Sequence, residues 1–487
     1  MTLLDVPPLR SLLLVAVPCV TAAPTLAQEV VPDTTAGRVA SAWIEAFNAG
    51  DRESMLAFVR AHRTPEKVAE FDASWGQLQG ARRMLGTLTP LSASAAGDSL
   101  TVIADVENLP IEFAVRFQVD EQPPHHLLSM EMRPAGSAAP ALEAPAGWET
   151  LADLLEPLRE SASAPALTAA IVEGGRIVDV AAVGSRATGA ESPDVLLDDR
   201  FHIGSVAKSM TASMIARLVE DGRLVWTDTI GDAYAGVEFD PAYAEVTLLE
   251  VLQHRAGLPQ QLTITDEEDE LLRALPGTPT EQRAAYVAEM LATPRLADAT
   301  FQYSNAGYSV AGHWAERVTG RSWEDLVQEH VFGALRLRRS GIGWPATPAR
   351  PAQPRGHFPD GSALRAQGVD EYPLGPFMHP AGHVHTSARD LARYAAAHLN
   401  GLVGREDFLL PETVQFLHTP LPGAPYACGW QITGGKHAHD GSAGTFHALI
   451  EVVPSEDRAV VVLTNAALPD LCRVVADAVA ERHAERR

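Results

Sequence analysis

A serine and a lysine three residues apart open the apolar run FHIGSVAKSMTASMIARLV, residues 201–219. A lysine beside a hydrophobic core is costly unless something uses it. The pattern predicts a helix over about Val206–Glu220 with Ser205 at its N-terminus. Residues i and i+3 share a helix face, so Lys208 lies one turn on, beside the Ser205 hydroxyl. A free serine hydroxyl is a poor nucleophile and needs an adjacent base. A lysine becomes that base when burial and cationic neighbours lower its pKa. A helix N-terminus also directs amides at any oxyanion formed there. Taken alone, the pair equally describes a capping serine and a snorkelling lysine.

Two further stretches give the pair a context. In FQYSNAGYSVAGHWAERVTG, residues 301–320, Tyr303-Ser304-Asn305 sits on a loop just before a helix. A tyrosine can accept the serine proton when lysines hold its pKa down. Asn305 offers a donor and an acceptor to a substrate amide. In KHAHDGSAGTFHALI, residues 436–450, His439-Asp440-Gly441-Ser442 leads into a strand. Gly441 lets a substrate approach the strand edge, and the Ser442 N–H can complete an oxyanion hole with that of Ser205.

In order and separation these residues resemble the three motifs of the serine β-lactamase/penicillin-binding-protein superfamily. They are S-x-x-K (Ser205, Lys208), Y-x-N (Tyr303, Asn305) and a K/H/W-x-G element (His439, Gly441). The similarity is closest to the class C branch and its related esterases and D-aminopeptidases. VTLLEVLQHRAGL (246–258) and PAGHVHTSARDLARYA (380–395) resemble two accessory segments of that branch. The resemblance covers roughly residues 150–485. It implies an α/β (α+β) fold, an antiparallel sheet flanked by helices with an all-helical insertion. It implies that Ser205 is acylated, that Lys208 and Tyr303 manage its proton, and that water frees the acyl group without a cofactor. Asn305, His439 and Gly441 would bind a small-molecule or peptide substrate, and the Ser205 and Ser442 amides would hold the oxyanion. Which of Lys208 and Tyr303 is the base stays open.

One position departs from the pattern. Relatives acting on β-lactams or peptide carboxylates usually carry lysine in the third motif, where this chain has His439, a pH-dependent cation. Lys436 lies at an odd offset and points to the other face of a strand. A neutral ester, or an amide with a free amino end, therefore fits better. An anionic substrate would be held only while His439 is protonated, below about pH 6.5. Two alternatives stand beside this: a D-amino-acid peptidase or penicillin-binding carboxypeptidase/β-lactamase, and a non-catalytic ligand sensor that kept the pocket. Intact Ser205, Lys208, Tyr303 and Asn305 count against the sensor.

Other candidates weigh less. Gly307–Ala311 (GYSVA) lacks the final glycine of a nucleophile elbow and follows no strand pattern. His379, His383, His385, His437 and His439 suggest zinc, but no carboxylate falls at ligand spacing, so no metal is expected. His254 reads as a structural residue near a helix end, and DEEDE (266–270) as a solvated face.

The elements that must position these residues follow from periodicity. LTAAIVEGGRIVDVAAVG is a hairpin turning at Gly174-Gly175. TFHALIEVV and RAVVVLTN, joined by PSED, add two strands, and an amphipathic helix over about Asp470–His483 closes the chain. Strands from both ends with helices between them imply one antiparallel sheet with an inserted helical region. Upstream, Thr34 or Thr35 caps a helix ending near Asn48–Gly50. A second helix covers about Arg52–Arg60, and four β-rich runs follow. This smaller unit (34–133) resembles the NTF2-like (SnoaL-like) α+β cone fold, and would bind a small ligand or partner rather than catalyse. The Ala/Pro-rich stretch 134–146 reads as a linker to a hydrolase domain at 147–487.

Residues 1–27 read as a signal peptide. Arg10 precedes an apolar stretch from Ser11 to Ala22, followed by small residues ending at Ala27, and a secreted or periplasmic location is expected. A net charge of −24 argues against nucleic acid or anionic lipid as partner, and no segment suggests a membrane span. Cys428 and Cys472 read as buried free thiols, one on a strand and one on the last helix.

Overall fold

The computed structural model describes residues 30–486 apart from 260–275, much of 65–84, and short stretches at 97–98, 108–111, 121, 135–141, 190, 297–300, 361–362, 370, 372–373 and 423. The expected signal peptide, the DEEDE run and most of the expected linker lie outside the described residues. The chain divides into two compact units, one within residues up to 135 and one running from 136 onward.

The first unit begins with α1 (Thr35–Ala49) and α2 (Arg52–His62). The Thr34 hydroxyl accepts from the Gly37 N–H, and Gly50 ends α1 in the left-handed region at φ 71°. Asp51 caps α2 by accepting from the Ser54 N–H. Four strands form one antiparallel sheet in sequence order: β1 (Leu88–Ala96), β2 (Ser99–Val106), β3 (Glu112–Val119) and β4 (Leu127–Pro134). Trp43, Phe47, Leu100, Val102 and Phe117 are buried, with the Trp43 and Phe47 rings stacked at 4.9 Å.

The second unit is built on a six-stranded antiparallel sheet. After α3 (Leu151–Ser161) come β5 (Ala166–Glu173) and β6 (Arg176–Gly184), joined through Gly174 and Gly175, both at positive φ. Five short strands outside this sheet, β7 (Phe201–His202), β8 (Gly341–Ile342), β9 (His357–Asp360), β10 (Ala363–Ala366) and β11 (Val384–Thr386), precede β12 (Gln431–Thr433), β13 (Lys436–Ser442), β14 (His447–Val453) and β15 (Arg458–Thr464). The strand order is β12-β13-β14-β15-β5-β6, so strands from the two ends of the unit meet in the middle, Ala169 opposite Val462. Both faces are covered. Val461 and Leu463 of β15 join the larger core, while Val460 and Val462 pack with α3 and the final helix. A strand buried on both faces reads as a continuous apolar run, and RAVVVLT is one.

The segment between these strands is mainly helical. α4 (Ala207–Glu220) carries the Ser/Lys pair, with a 3₁₀ turn over Gly204–Val206 in front of it. α5 (Asn305–Thr319) is capped by Ser304, whose hydroxyl accepts from the Gly307 N–H at 2.9 Å. The accessory segment 380–395 spans α6 (His379–Gly382), a short strand (Val384–Thr386) and α7 (Ala388–Leu402), capped by Ser387. α8 (Pro411–Leu417) follows, and α9 (Pro469–Glu485) closes the chain. Both described cysteines are buried and free; Cys472 is on α9, whereas Cys428 sits on a bend rather than a strand. Among the described residues no helix is long and apolar enough to cross a membrane.

Candidate active site

Ser205 lies in the 3₁₀ turn at the mouth of α4, half-buried, and Lys208 is buried completely one turn later. The Lys208 Nζ makes three polar contacts: Ser205 Oγ at 3.0 Å, Asn305 Oδ1 at 2.7 Å and the Ala381 carbonyl at 2.7 Å. Ala381 is brought there because α6 is seated on α4, where the Thr211 hydroxyl donates to the Pro380 carbonyl at 2.7 Å. Burial holds the Lys208 ammonium well below its ordinary range. The expected cationic neighbours play no part; desolvation alone does it.

Tyr303 completes the group. Its hydroxyl is near that of Ser205, and Lys208 Nζ lies 4.9 Å from the centre of its ring. Burial of the phenol pushes its pKa up, against a smaller opposing effect of the Ser205 hydroxyl. The expectation of a tyrosine held down by lysines is therefore corrected: the only lysine beside it is itself buried and biased to the neutral amine. Asn305 begins α5, and its carbonyl oxygen is occupied by Lys208, leaving the amide N–H₂ for a ligand.

β13 forms the other wall. Lys436 and Asp440 reach Asp477 and Arg473 of α9, so the alternate residues His437, His439 and Gly441 lie on the opposite face of the sheet. Lys436 also pairs with Glu451 at 3.2 Å and is turned away from Ser205, as the odd offset predicts. Gly441 is required by clearance. A Cβ there would lie 1.9 Å from the Ile203 carbonyl oxygen, and one on Gly204 would lie 2.4 Å from the Ser442 nitrogen. Two glycines thus let the turn and the strand touch backbone to backbone, which brings the Ser442 amide alongside the Ser205 turn.

His439 differs most from expectation. It is buried, its Nδ1 contacts the Asp440 carbonyl, and its Nε2 is 2.9 Å from the Tyr426 hydroxyl. A carbonyl only accepts, so Nδ1 carries the proton and Nε2 accepts from Tyr426. Burial, with the nearby Lys208 adding to it, lowers its pKa to about 4. His439 is neutral at physiological pH and both ring nitrogens are engaged, so it is not the cation that titrates near pH 6.5.

Sequence reasoning did not single out Tyr426, which no motif marks. Nor did it assign a role to the Ala381 carbonyl, although the PAG segment was the available signal. His254 stands where a structural residue was expected. It is buried at φ 59°, its Nδ1 accepts from the Ser304 N–H at 3.1 Å, and its ring lies 4.4 Å from that of Tyr303. The other histidines go elsewhere. His379 bonds Glu324, His383 bonds His202, and His385 bonds the Gly343 carbonyl. Among the described residues no group of three His, Cys, Asp or Glu side chains is placed to hold a metal.

The Beta-lactamase family model matches residues 151–484. The chain belongs to that family, the β-lactamase-related serine hydrolases and penicillin-binding-protein-like enzymes. Penicillin-binding protein 4 of Amycolatopsis lactamdurans is 26% identical over 347 residues, 66% of this chain and 85% of that protein. A Pseudomonas fluorescens protein named Beta-lactamase is 25% identical over 369 residues, covering 66% and 94%. An unguisins hydrolase of Aspergillus campestris is 25% identical over 328 residues, and this chain spans 58% of its length. Among solved structures, the octameric penicillin-binding protein homologue from Pyrococcus abyssi superposes with a TM-score of 0.55 at 23% identity, over 66% of this chain and 74% of that one, a likeness of fold.

Proposed function

We propose that this family member is a serine hydrolase that transfers the acyl group of a neutral ester or amide to Ser205 and then to water. One observation carries the reading. Two of the three Lys208 contacts are to carbonyl oxygens, which only accept. A neutral amine has two N–H bonds, which Asn305 and Ala381 take up, and its lone pair is then left for the Ser205 hydroxyl. Lys208 is accordingly the general base. It removes the Ser205 proton as Oγ bonds to the substrate carbonyl carbon, and the Ser205 and Ser442 amides receive the oxyanion. The bond to the leaving group then breaks. Tyr303, whose phenol keeps its proton, relays one from Lys208 to the departing oxygen or nitrogen. Water repeats the sequence on the acyl-enzyme and restores Ser205.

The neutral substrate follows from His439. With its charge absent and both nitrogens engaged, β13 offers a substrate carboxylate no cation at that position. A D-amino-acid peptidase or penicillin-binding activity is the second reading, favoured by the name of the Amycolatopsis relative. Covalent capture of a penicillin by Ser205 would select it. Export through residues 1–27, and an NTF2-like cone over 34–133 that binds a small ligand or partner, are parts of the same proposal.

The test is intact mass after exposure to a fluorophosphonate probe. A single adduct that Ser205→Ala abolishes supports the reading. No adduct, or one that survives the substitution, would replace it with the ligand-sensor reading.

A further inference from the structure

Beneath the pocket, a chain of buried polar side chains runs from β13 to α4 without touching the reacting groups. His437 of β13 is half-buried, and its Nδ1 lies 2.9 Å from His418 Nδ1, just past the end of α8. His418 Nε2 is 2.9 Å from His398 Nδ1 on α7. His398 Nε2 is 3.1 Å from the Ser213 hydroxyl on α4, which is 2.9 Å from the Tyr394 hydroxyl. Ser213 and Ser205 belong to one continuous run, α4 and the turn that opens it.

A neutral imidazole has one N–H and one acceptor nitrogen, so the direction of one link sets the others: His418 Nε2–H to His398 Nδ1 requires His437 Nδ1–H to His418 Nδ1, and the reverse direction requires the opposite tautomer of each ring. The rings of His418 and His398 lie 4.4 Å and 5.0 Å from that of Trp430, an apolar face that shields the bonds between them. His418 uses its two nitrogens in different directions, so the three imidazoles do not converge on one ion.

We propose that this hydrogen-bond chain is a strut that sets the spacing between β13 and α4, the helix with Ser205 at its mouth, and that His437, His418 and His398 are positioning residues for the oxyanion hole. The two ends are placed for this. His437 is two residues before His439 on the strand that supplies Gly441 and Ser442, and Ser213 is on the helix that the Ser205 turn opens. Apolar packing is non-directional, whereas each hydrogen bond holds a length of about 2.7–3.2 Å. An oxyanion hole works only when its two N–H groups are correctly placed for the same oxygen.

The inference rests on Ser205 being the nucleophile, and two measurements on the full chain separate its failure from failure of that reading. In ¹⁵N spectra of histidine-labelled protein the three tautomers should match: His437 Nδ1–H with His418 and His398 Nε2–H, or His437 Nε2–H with His418 and His398 Nδ1–H. The rate of fluorophosphonate labelling should fall about tenfold in His437→Leu, as expected for a displaced oxyanion donor. His437→Asn keeps a hydrogen-bonding amide where Nδ1 lies and should restore the rate to within about twofold. His437 is half-buried at the end of the hydrogen-bond chain, so both variants should fold. Equal labelling of the natural protein and His437→Leu, or tautomers that do not match, overturns the strut. A natural protein that takes up no probe overturns the reading of Ser205 itself.

Discussion

The two units bury different chemistry. Among the described residues of the first, Ser99 is the one buried polar side chain, and the interior is Trp43, Phe47, Phe58, Phe113, Phe117 and aliphatics. The second buries Lys208, Arg283, Arg458 and a series of histidines, including His202, His254, His398, His418 and His439. Burying an ionisable group disfavours its charged form, so it is tolerated where it is hydrogen-bonded or where its altered pKa is used. One interior is organised for packing, the other for placing protons.

The contrast can be broken at five places. The largest effect is expected at the base. Lys208→Ala should slow acylation of Ser205 by about a thousandfold or more, as removal of a nucleophile's base does in related chemistry. Measured by probe labelling, a rate within tenfold of the natural protein would show that the buried lysine is not used. Tyr303→Phe keeps the ring and loses the proton relay, and should reduce turnover of an alkyl ester by about a hundredfold.

Stability should separate the units next. Trp43→Ala in the apolar interior should cost the first unit about 3–5 kcal/mol in a denaturant titration, whatever the pH. The second unit should be acid-labile. Burial lowers His202, His385 and His398 to about 3, and His313 and His439 to about 4. The unfolded chain takes up these protons below its ordinary histidine pKa while the folded chain refuses them. Their stabilising effect is present above about pH 6.5 and is lost as pH falls toward 4, by up to about 1.4 kcal/mol per pH unit for each group. Hydrogen exchange at pH 7 and pH 5 should show protection falling in residues 150–485 and holding in residues 35–134. The reverse would mean that the buried imidazoles are not neutral.

The smallest effect is an expected constancy. His439 is neutral well above its pKa, so raising the pH from 6 to 8 should not change the preference for a neutral over a carboxylate-bearing ester by more than about twofold. A preference for the anion that grows on acidification toward pH 6 would restore His439 as a cation.

How much of this was legible in the sequence depends on what each residue's role rests on. The sheet was readable because RAVVVLT and its partners carry their burial in composition, and the Gly174-Gly175 turn carries its own geometry. Ser205, Lys208, Tyr303 and Asn305 were readable because an i, i+3 pair at a helix mouth and a loop before a capped helix are local patterns. The state of those residues was not. Whether Tyr303 is acidic or His439 charged depends on burial, which belongs to the assembled fold and not to a local pattern. The buried histidine chain was invisible for the same reason: His398, His418 and His437 share no spacing, only a place.

The meeting of β5 with β15 has a consequence for the timing of synthesis. The nucleophile helix packs into a core with Phe446, Ala448 and Val461, residues made long after it. At usual elongation rates Ser205 waits on the order of 10–50 s before β14 and β15 emerge. Until then the core around α4 is incomplete. On the proposed reading, in which burial makes Lys208 the base, Ser205 stays unreactive through most of the chain's synthesis.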